Sequence, residues 1–225
     1  CRFAVIGAST GRRLASHGIQ ANLCPATYTS AGLAEALKGR LEPGDQVVLL
    51  RSQQGTEVLP QLFREGSFCS TLLLAPPGLG KTTLLRDLIR GLSDGAEGVS
   101  PHRVAVVDER GEIAVMFQGI PQMALGSHTD VLDACPKALG IPILLRSANP
   151  QVIAVDEITV REDLMAMSAA ANCGVRFLAT IHAADRRELG RRPLFSHLLK
   201  EKVFEKLVTI RREEGQRQYL VEELW

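Results

Sequence analysis

The sequence predicts an α/β protein with a mostly parallel sheet flanked by helices, preceded by a small partial α/β lobe. Apolar runs of strand length alternate along the chain with segments whose apolar residues recur at helical spacing. Several of these runs end in acidic or polar residues, and one leads through a Pro- and Gly-rich loop into a helix. We therefore expect two segments, a partial lobe over residues 1–66 and a larger domain over residues 67–225.

Composition excludes several classes of protein. The 225 residues carry a formal net charge of +1 and only 4% are aromatic, so no nucleic-acid partner is expected. The five cysteines include no C-x-x-C pair, which favours a reduced compartment. Since no apolar run approaches the roughly 18 residues of a transmembrane segment, we expect a cytoplasmic protein that reaches the inner face of a membrane only through partners. The start at Cys1 indicates a truncated or excised N-terminus.

The first segment alternates short strands and helices. Strands are predicted over residues 3–7, 21–24 and 46–50, and helices over residues 9–18, 31–38 and 56–65. Residues 59–63 could end this pattern or begin the next one, because no Gly/Ser linker marks a boundary.

The first segment resembles part of uroporphyrinogen-III synthase. The residues that carry the resemblance are Ala4-Val5-Ile6-Gly7 with Thr10, Pro25 with Tyr28-Thr29, Gly32-Leu33, and the stretch 45–51. That family closes a linear tetrapyrrole in a cleft between two domains, and Thr10 and Tyr28 match its cleft positions. The alternative is that Thr10 begins a helix and Tyr28 packs before a helix cap.

A phosphate-binding loop is predicted where the apolar run 70–75 meets a helix that begins near Lys81. A glycine-rich turn lets backbone N–H groups point at phosphate oxygens, and the helix adds its positive dipole end. Lys81 would reach the β- and γ-phosphates of ATP, and the Thr82 hydroxyl would bind Mg²⁺. The motif is A-x-x-x-x-G-K-T, since Ala75 replaces the usual Gly. The predicted nucleotide-binding residues are Ala75, Pro76, Pro77, Gly78, Leu79, Gly80, Lys81, Thr82 and Thr83.

Two further apolar runs end in paired acids. The stretch 103–113 ends in Asp108, Glu109 and Glu112, and the stretch 151–157 ends in Asp156 and Glu157. Ligands of open parallel sheets bind at such strand ends. Asp156 would hold Mg²⁺ and Glu157 would polarise the attacking water, unless these acids merely end a strand in solvent.

A third strand, over 175–182, ends in a histidine. His182 occupies the place of a γ-phosphate sensor, although a lone His at a strand end is usually only a polar cap. The basic loop that follows contains Arg186, Arg187, Arg191 and Arg192. Two interpretations stay open: the loop is a solvated face, or it contacts the nucleotide of a neighbouring subunit.

The remaining elements are predicted from capping residues and prolines. Thr129 or Asp130 would cap a helix over residues 131–139, and Pro142 would start a separate helical turn over 143–146. A helix is expected over 161–173, and a closing strand hairpin over 203–210 and 219–224.

Residues 67–225 resemble the stage III sporulation protein AA family, which is related to the type II/IV secretion ATPases. The residues that carry the resemblance are Ser70-Thr71-Leu72, Pro76-Pro77-Gly78, the stretch 80–87, Val107-Asp108-Glu109-Arg110, Glu112-Ile113, Thr129 to Asp133, Cys135-Pro136-Lys137, Leu145-Arg146-Ser147, the stretch 152–158 and Leu178 to His182. The resemblance implies a RecA-like P-loop ATPase core that works as a homo-oligomeric ring. It also implies roles for an Asp box at 108–112, a Walker B pair at 156–157 and a His box at His182. Arg146 would contact phosphate or a neighbouring subunit.

The predicted function is Mg²⁺-dependent ATP hydrolysis that powers transport or assembly, with membrane proteins of a secretion or sporulation channel as partners. Glu157, Glu109, Glu112, His182 and Arg146 are the predicted catalytic residues. Two departures bear on turnover: Asp156 stands where secretion ATPases usually carry Gly, and the synthase-like segment stands where their N-terminal domain would be. The alternatives are a nucleotide-binding assembly module without turnover, tetrapyrrole cyclisation by residues 1–66, and a fusion of two unrelated fragments.

Overall fold

The structure is a computed structural model that describes residues 2–5, 8–25, 30–42, 45, 57–191, 193–213 and 216–225. The chain divides into two compact units, Cys1–Arg51 and Ser52–Trp225. Tyr28, Arg192 and the strand predicted over 46–50 lie outside the described residues.

The first unit contains two short helices, α1 (Ala8–Ala15) and α2 (Ser30–Leu37). A parallel bridge joins Ala4 to Leu23, and the amide of Val5 donates to the carbonyl of Leu23 at 2.8 Å. The two strands predicted at 3–7 and 21–24 therefore meet side by side in their described parts. Thr10 lies exposed within α1, as a helix residue.

The second unit begins with a 3-10 turn, Leu59–Leu62, followed by a small hairpin of β1 (Phe63–Arg64) and β2 (Ser67–Phe68). The predicted helix over 56–65 is therefore too long, because the backbone turns extended at Phe63. Leu59 and Leu62 are fully buried in the core of this unit. Residues 59–62 thus belong to the second unit.

A seven-stranded sheet forms the centre of the second unit. Its strand order is β11-β10-β3-β9-β8-β4-β7, and all neighbouring pairs are parallel except β10 with β11. The strands are β3 (Thr71–Leu74), β4 (Val104–Asp108), β7 (Thr129–Asp133), β8 (Val152–Val155), β9 (Arg176–Ile181), β10 (Lys206–Glu213) and β11 (Gln216–Glu223). A separate two-stranded hairpin consists of β5 (Met116–Phe117) and β6 (Ile120–Pro121). The α/β class, the mostly parallel sheet and the closing hairpin are confirmed.

Helices cover both faces of this sheet. They are α3 (Lys81–Asp94), α4 (Lys137–Ser147), α5 (Arg161–Ala171), α6 (Arg186–Arg191) and α7 (Pro193–Lys200). Leu84, Leu85 and Leu88 of α3 pack into one apolar core, and residues of the other four helices pack into a second core on the opposite face. None of the helices in the described part of the chain is long and apolar enough to cross a membrane.

The predicted helix over 131–139 is wrong. Residues 129–133 form the edge strand β7, whose Val131 and Leu132 pack toward opposite faces of the sheet. Helix α4 starts only after Pro136, because a residue that precedes a proline is disfavoured in helical conformation and Cys135 is such a residue.

Two further predictions are corrected in the same region of the second unit. Pro142 lies inside α4 and does not start a separate turn, since burial of Ile141 and Leu144 offsets the proline, which costs about 3 kcal/mol in a helix interior. The basic segment after His182 is helix α6 in its described part, where a loop was expected. The carboxylate of Asp185 accepts from the amide of Glu188 at 2.8 Å and so caps this helix.

Candidate functional site

The phosphate loop lies between the buried end of β3 and the first turn of α3. Ala75 is fully buried, so its methyl group packs in the apolar core at the position where the consensus has Gly. Gly78 and Gly80 have φ values of 78° and 90°, in the left-handed region that glycine adopts without strain. The chain passes from Gly80 directly into the helix, which begins at Lys81.

Lys81 connects the loop to the neighbouring strand. Its buried ammonium donates to the carbonyls of Ala75 at 2.8 Å and Pro76 at 3.2 Å. The same nitrogen lies 2.7 Å from Nδ1 of His182, the residue that follows β9. The predicted γ-phosphate sensor is thus in direct contact with the lysine of the phosphate loop.

The electrostatic surroundings of Lys81 include the acidic end of β8. Burial lowers the pKa of Lys81, while the charges of Asp156 and Glu157 act in the opposite direction. A bound phosphate would add negative charge here and favour the ammonium form.

Asp156 and Glu157 are fixed by a hydroxyl from the adjacent strand. The Thr180 hydroxyl donates to Oδ1 of Asp156 at 2.6 Å. The amide of Glu157 donates both to Oδ1 of Asp156 and to Oγ1 of Thr180, each at 2.9 Å. Thr180 is fully buried, and Glu157 has a φ of 22°. The geometry of this acidic pair therefore depends on Thr180, which the sequence analysis did not single out. A polar residue inside the apolar run of β9 was the available signal.

The Glu157 carboxylate lies between the guanidinium of Arg110 and the imidazole of His182. Nη1 of Arg110 is 2.6 Å from Oε2 of Glu157, and Nε2 of His182 is 3.5 Å from its Oε1. Arg110 follows β4, so it approaches from the far side of β8. The sequence analysis named Arg110 only as part of the motif Val107-Asp108-Glu109-Arg110 and predicted no role for its side chain.

The acids that follow β4 have a different setting. Asp108 is fully buried, and its carboxylate accepts backbone N–H bonds from Glu112, Ile113 and Ala114 at 2.7–3.0 Å. Arg86 of α3 donates to the carbonyl of Ile113 at 2.8 Å. Asp108 thus folds the loop 109–114 back onto the end of its own strand.

The predicted acids Glu109 and Glu112 do not converge on Lys81 as closely as Glu157 does. Glu109 forms an ion pair with the buried ammonium of Lys137, the first residue of α4. Glu112 contacts Asp108 and Arg86 through its backbone groups, and it is exposed.

Arg146 is placed away from the phosphate loop of its own chain. It lies exposed in the last turn of α4, about 14 Å along the helix axis from Lys137. Since α4 leads from Lys137, which pairs with Glu109 just after the end of β4, back to the start of β8, Arg146 lies toward the amino edge of the sheet, opposite the edge where the phosphate loop begins.

Two of the described side chains carry oxygen ligands of the kind that Mg²⁺ takes in phosphate-loop sites. Within the described residues, no cluster of three or more His, Cys, Asp or Glu could hold a metal by itself. Mg²⁺ commonly takes one or two protein oxygens together with phosphates and water, so a complete protein cage is not required. Thr82 in the first turn of α3 and Asp156 supply a hydroxyl and a carboxylate of the required type.

Comparisons with known proteins match the two segments separately. The family model described as "Sporulation stage III, protein AA" matches residues 51–220, and that of "Uroporphyrinogen-III synthase HemD" matches residues 1–70. Stage III sporulation protein AA of Bacillus subtilis is 42% identical over 158 residues, which are 70% of this chain and 51% of that protein. The uncharacterized protein ycf45 of Porphyra purpurea is 32% identical over 145 residues, 63% of this chain and 24% of that protein.

A solved structure with a similar fold is the Legionella pneumophila ATPase DotB. It superposes with a TM-score of 0.52 at 17% identity, over 74% of this chain and 47% of that chain. The likeness confirms the predicted RecA-like fold of the second unit. The chain spans about half the length of the Bacillus subtilis relative.

Proposed function

The chain belongs to the sporulation stage III protein AA family. Because it also carries a phosphate loop that departs from the consensus only at Ala75, we propose that it binds Mg-ATP and hydrolyses the terminal phosphate bond. The observation that supports this most is the 2.7 Å contact between Lys81 and His182, with Glu157 within 3.5 Å of the same imidazole. The phosphate-binding cation and the candidate water-orienting carboxylate thus meet around a single histidine.

In the proposed reaction, water attacks the γ-phosphorus of ATP and the bond from that phosphorus to the β–γ bridging oxygen breaks, giving ADP and inorganic phosphate. Lys81 and the loop amides neutralise charge on the phosphates. Glu157 orients the water, because its carboxylate is held in place between Arg110 and His182.

The metal would be held by Thr82 and Asp156, where it would neutralise charge on the β- and γ-phosphate oxygens. Thr180 serves as a positioning residue for Asp156 through its 2.6 Å hydrogen bond. His182 is proposed to sense the γ-phosphate, because its imidazole contacts both Lys81 and Glu157.

ATP binding requires a local exchange of partners at Lys81. Its ammonium now donates to two loop carbonyls, and it must turn from these to phosphate oxygens. This exchange costs little, since one set of hydrogen-bond acceptors replaces another, and charge-assisted bonds to phosphate are the stronger of the two.

We further propose that the protein works as a homo-oligomeric, cytoplasmic motor for membrane-protein partners of a secretion or sporulation channel. The exposed position of Arg146 in the last turn of α4 leaves its guanidinium accessible to a second copy of the chain. The test is phosphate release measured against protein concentration, with Lys81→Ala as the control. Turnover that rises faster than linearly and is lost in the variant supports the oligomeric motor.

The same assay tests the alternative of a nucleotide-binding module without turnover. The observation that favours that alternative is the departure of the loop from the consensus, since the buried Ala75 stands where the consensus has Gly. ATP binding with phosphate release no greater than in Lys81→Ala would overturn hydrolysis and support the binding module.

Tetrapyrrole cyclisation by the N-terminal segment is a second candidate function. The synthase model that matches residues 1–70 is the observation that favours it. Formation of uroporphyrinogen III from hydroxymethylbilane by the full chain would support it. A product mixture identical to that of hydroxymethylbilane incubated without protein would exclude it.

A further inference from the structure

The antiparallel pair β10–β11 extends past the carboxyl edge of the sheet, next to the phosphate loop. Strand β3 ends at Leu74, which is in register with Thr209, whereas β10 continues to Glu213. Residues 210–213 add about 13 Å of strand beyond that edge. This extension therefore runs beside the loop that follows Leu74.

Two arginines lie opposite each other on this extension. Ile210 and Tyr219 are cross-strand partners, and both contact the apolar core that contains α3. The next pair on the same face, two residues further along each strand, is Arg212 with Arg217. Both arginines are exposed, and both lie on the face that carries the phosphate-loop helix.

Arg217 lies against the phosphate loop itself. A β-carbon built on Gly80 would be only 2.9 Å from Cζ and from Nη2 of Arg217, so the guanidinium occupies the space that the missing side chain leaves. Tyr219 shares a side-chain hydrogen bond with Arg217. The guanidinium is thus held beside the start of α3, where backbone N–H groups already favour anions.

The arginine pair carries an electrostatic cost in the free protein. Like charges directly opposite each other destabilise a pair of strands. A bound anion between or beside the two guanidinium groups would relieve that repulsion, and planar guanidinium forks match phosphate oxygens well.

The strand order fixes which end of a nucleotide would meet this pair. Strand β3 separates β9 and β8, which carry His182 and Glu157, from β10 and β11, which carry the arginines. A nucleotide whose γ-phosphate lies near Glu157 therefore directs the α-phosphate end of its phosphate chain toward Arg217.

We propose that Arg217, supported by Arg212, binds the α-phosphate of the nucleotide and is a further nucleotide-contacting residue of this site. The inference rests on the proposed binding of ATP, but it does not depend on hydrolysis. It predicts that Arg217 contributes equally to the binding of ATP and ADP, since both carry the α-phosphate, and contributes nothing to the binding of pyrophosphate held by Lys81.

The test is calorimetric titration of the full chain with Mg-ATP, Mg-ADP and Mg-pyrophosphate. Arg217→Gln is expected to raise the Kd of ATP and ADP by about tenfold each, the loss of one charge-assisted contact, without changing the Kd of pyrophosphate. Arg217→Lys should recover part of the loss, because it keeps the charge without the fork. Arg211→Gln is the matched control, as Arg211 lies on the same extension and on the opposite face.

Each other outcome overturns the inference in a recognisable way. Equal Kd values for wild type and Arg217→Gln exclude the contact, and a loss confined to ATP places Arg217 at the γ-phosphate. A loss that includes pyrophosphate means that Arg217 only shapes the loop. If wild type and Lys81→Ala both fail to bind ATP, the proposed function fails along with the inference. If only Lys81→Ala fails, that function stands and the Arg217 variants decide the inference.

Discussion

Two strand ends with nearly the same sequence take different structures in this protein. Strand β4 ends in the sequence Val107-Asp108-Glu109, of which Asp108 is its last residue, and the adjacent β8 ends at Val155 of the sequence Val155-Asp156-Glu157. Asp108 is fully buried and accepts three backbone N–H bonds, whereas Asp156 is partly exposed and is held by the Thr180 hydroxyl. The carboxylate that is saturated by backbone builds a loop, and the one with accessible oxygens can serve a ligand.

The second acid of each pair differs in the same way. Glu109 is tied to the buried Lys137, away from the phosphate loop, and Glu157 lies beside His182, which contacts Lys81. An Asp-Glu pair at a strand end therefore does not predict one particular function. Its role is set by the groups that surround it.

The largest effect is expected from removing the charge of the second acid after β8. Glu157→Gln should lower ATP turnover by about 1000-fold, within the range for a positioned acid or base, while ATP binding persists. Glu109→Gln is the matched variant, and we expect less than about a fivefold loss because only its ion pair with Lys137 is broken. Phosphate-release kinetics measure both. Similar losses in the two variants would contradict the assigned difference.

Removing Asp108 should lower the stability of the protein more than removing Asp156. Asp108→Ala leaves three N–H groups without their acceptor, two of them buried, so the free energy of unfolding should fall by about 3 kcal/mol. Asp156→Ala should lower it by about 1 kcal/mol, since that carboxylate is partly exposed. Urea denaturation gives both values. An equal or larger loss in Asp156→Ala would reverse the comparison.

The hydroxyl of Thr180 should affect turnover through its contacts with Asp156 and Glu157. Thr180→Val keeps the shape of the side chain and removes the hydroxyl that contacts Asp156 and Glu157, so turnover should fall by about tenfold, or about 1.4 kcal/mol. Thr180→Ser retains the hydroxyl and should stay near wild type in the same assay. Equal activity of the valine and serine variants would show that the hydroxyl does not position the acids.

The smallest effect is expected at the exposed end of the site. The Arg110–Glu157 pair is half exposed, and such pairs contribute about 0–1 kcal/mol. Arg110→Gln should therefore change turnover by less than about fivefold and should weaken its dependence on salt. Turnover measured at low and high ionic strength decides this, and a loss as large as that of Glu157→Gln would make Arg110 part of the reaction.

Local signals were sufficient to predict the phosphate loop and the acidic strand ends. The strand, Gly80-Lys81-Thr82 and the helix are contiguous in sequence, and so their arrangement depends little on distant residues. The contacts of Arg110 and Arg217 depend on the order of strands in the sheet, which no single stretch of sequence contains. The roles of Asp108 and Asp156 could not be separated for the same reason.

The errors around residues 129–147 had a different origin. Thr129 and Asp130 are both good helix caps by local preference, but pairing with β4 holds both residues in a strand. The proline at 136 was a local signal that the prediction did not use. Pro142 shows the reverse case, where packing of α4 against the sheet overrides a local preference.

The most direct test of the difference between the two strand ends is the Mg²⁺ dependence of ATP affinity in wild type and Asp156→Asn. The account predicts that wild type binds ATP about tenfold more tightly with Mg²⁺ than with a chelator, and that Asp156→Asn loses this difference while keeping its thermal stability. Undiminished Mg²⁺ dependence in Asp156→Asn would contradict the claim that the β8 carboxylate and the phosphate loop form one Mg-ATP site.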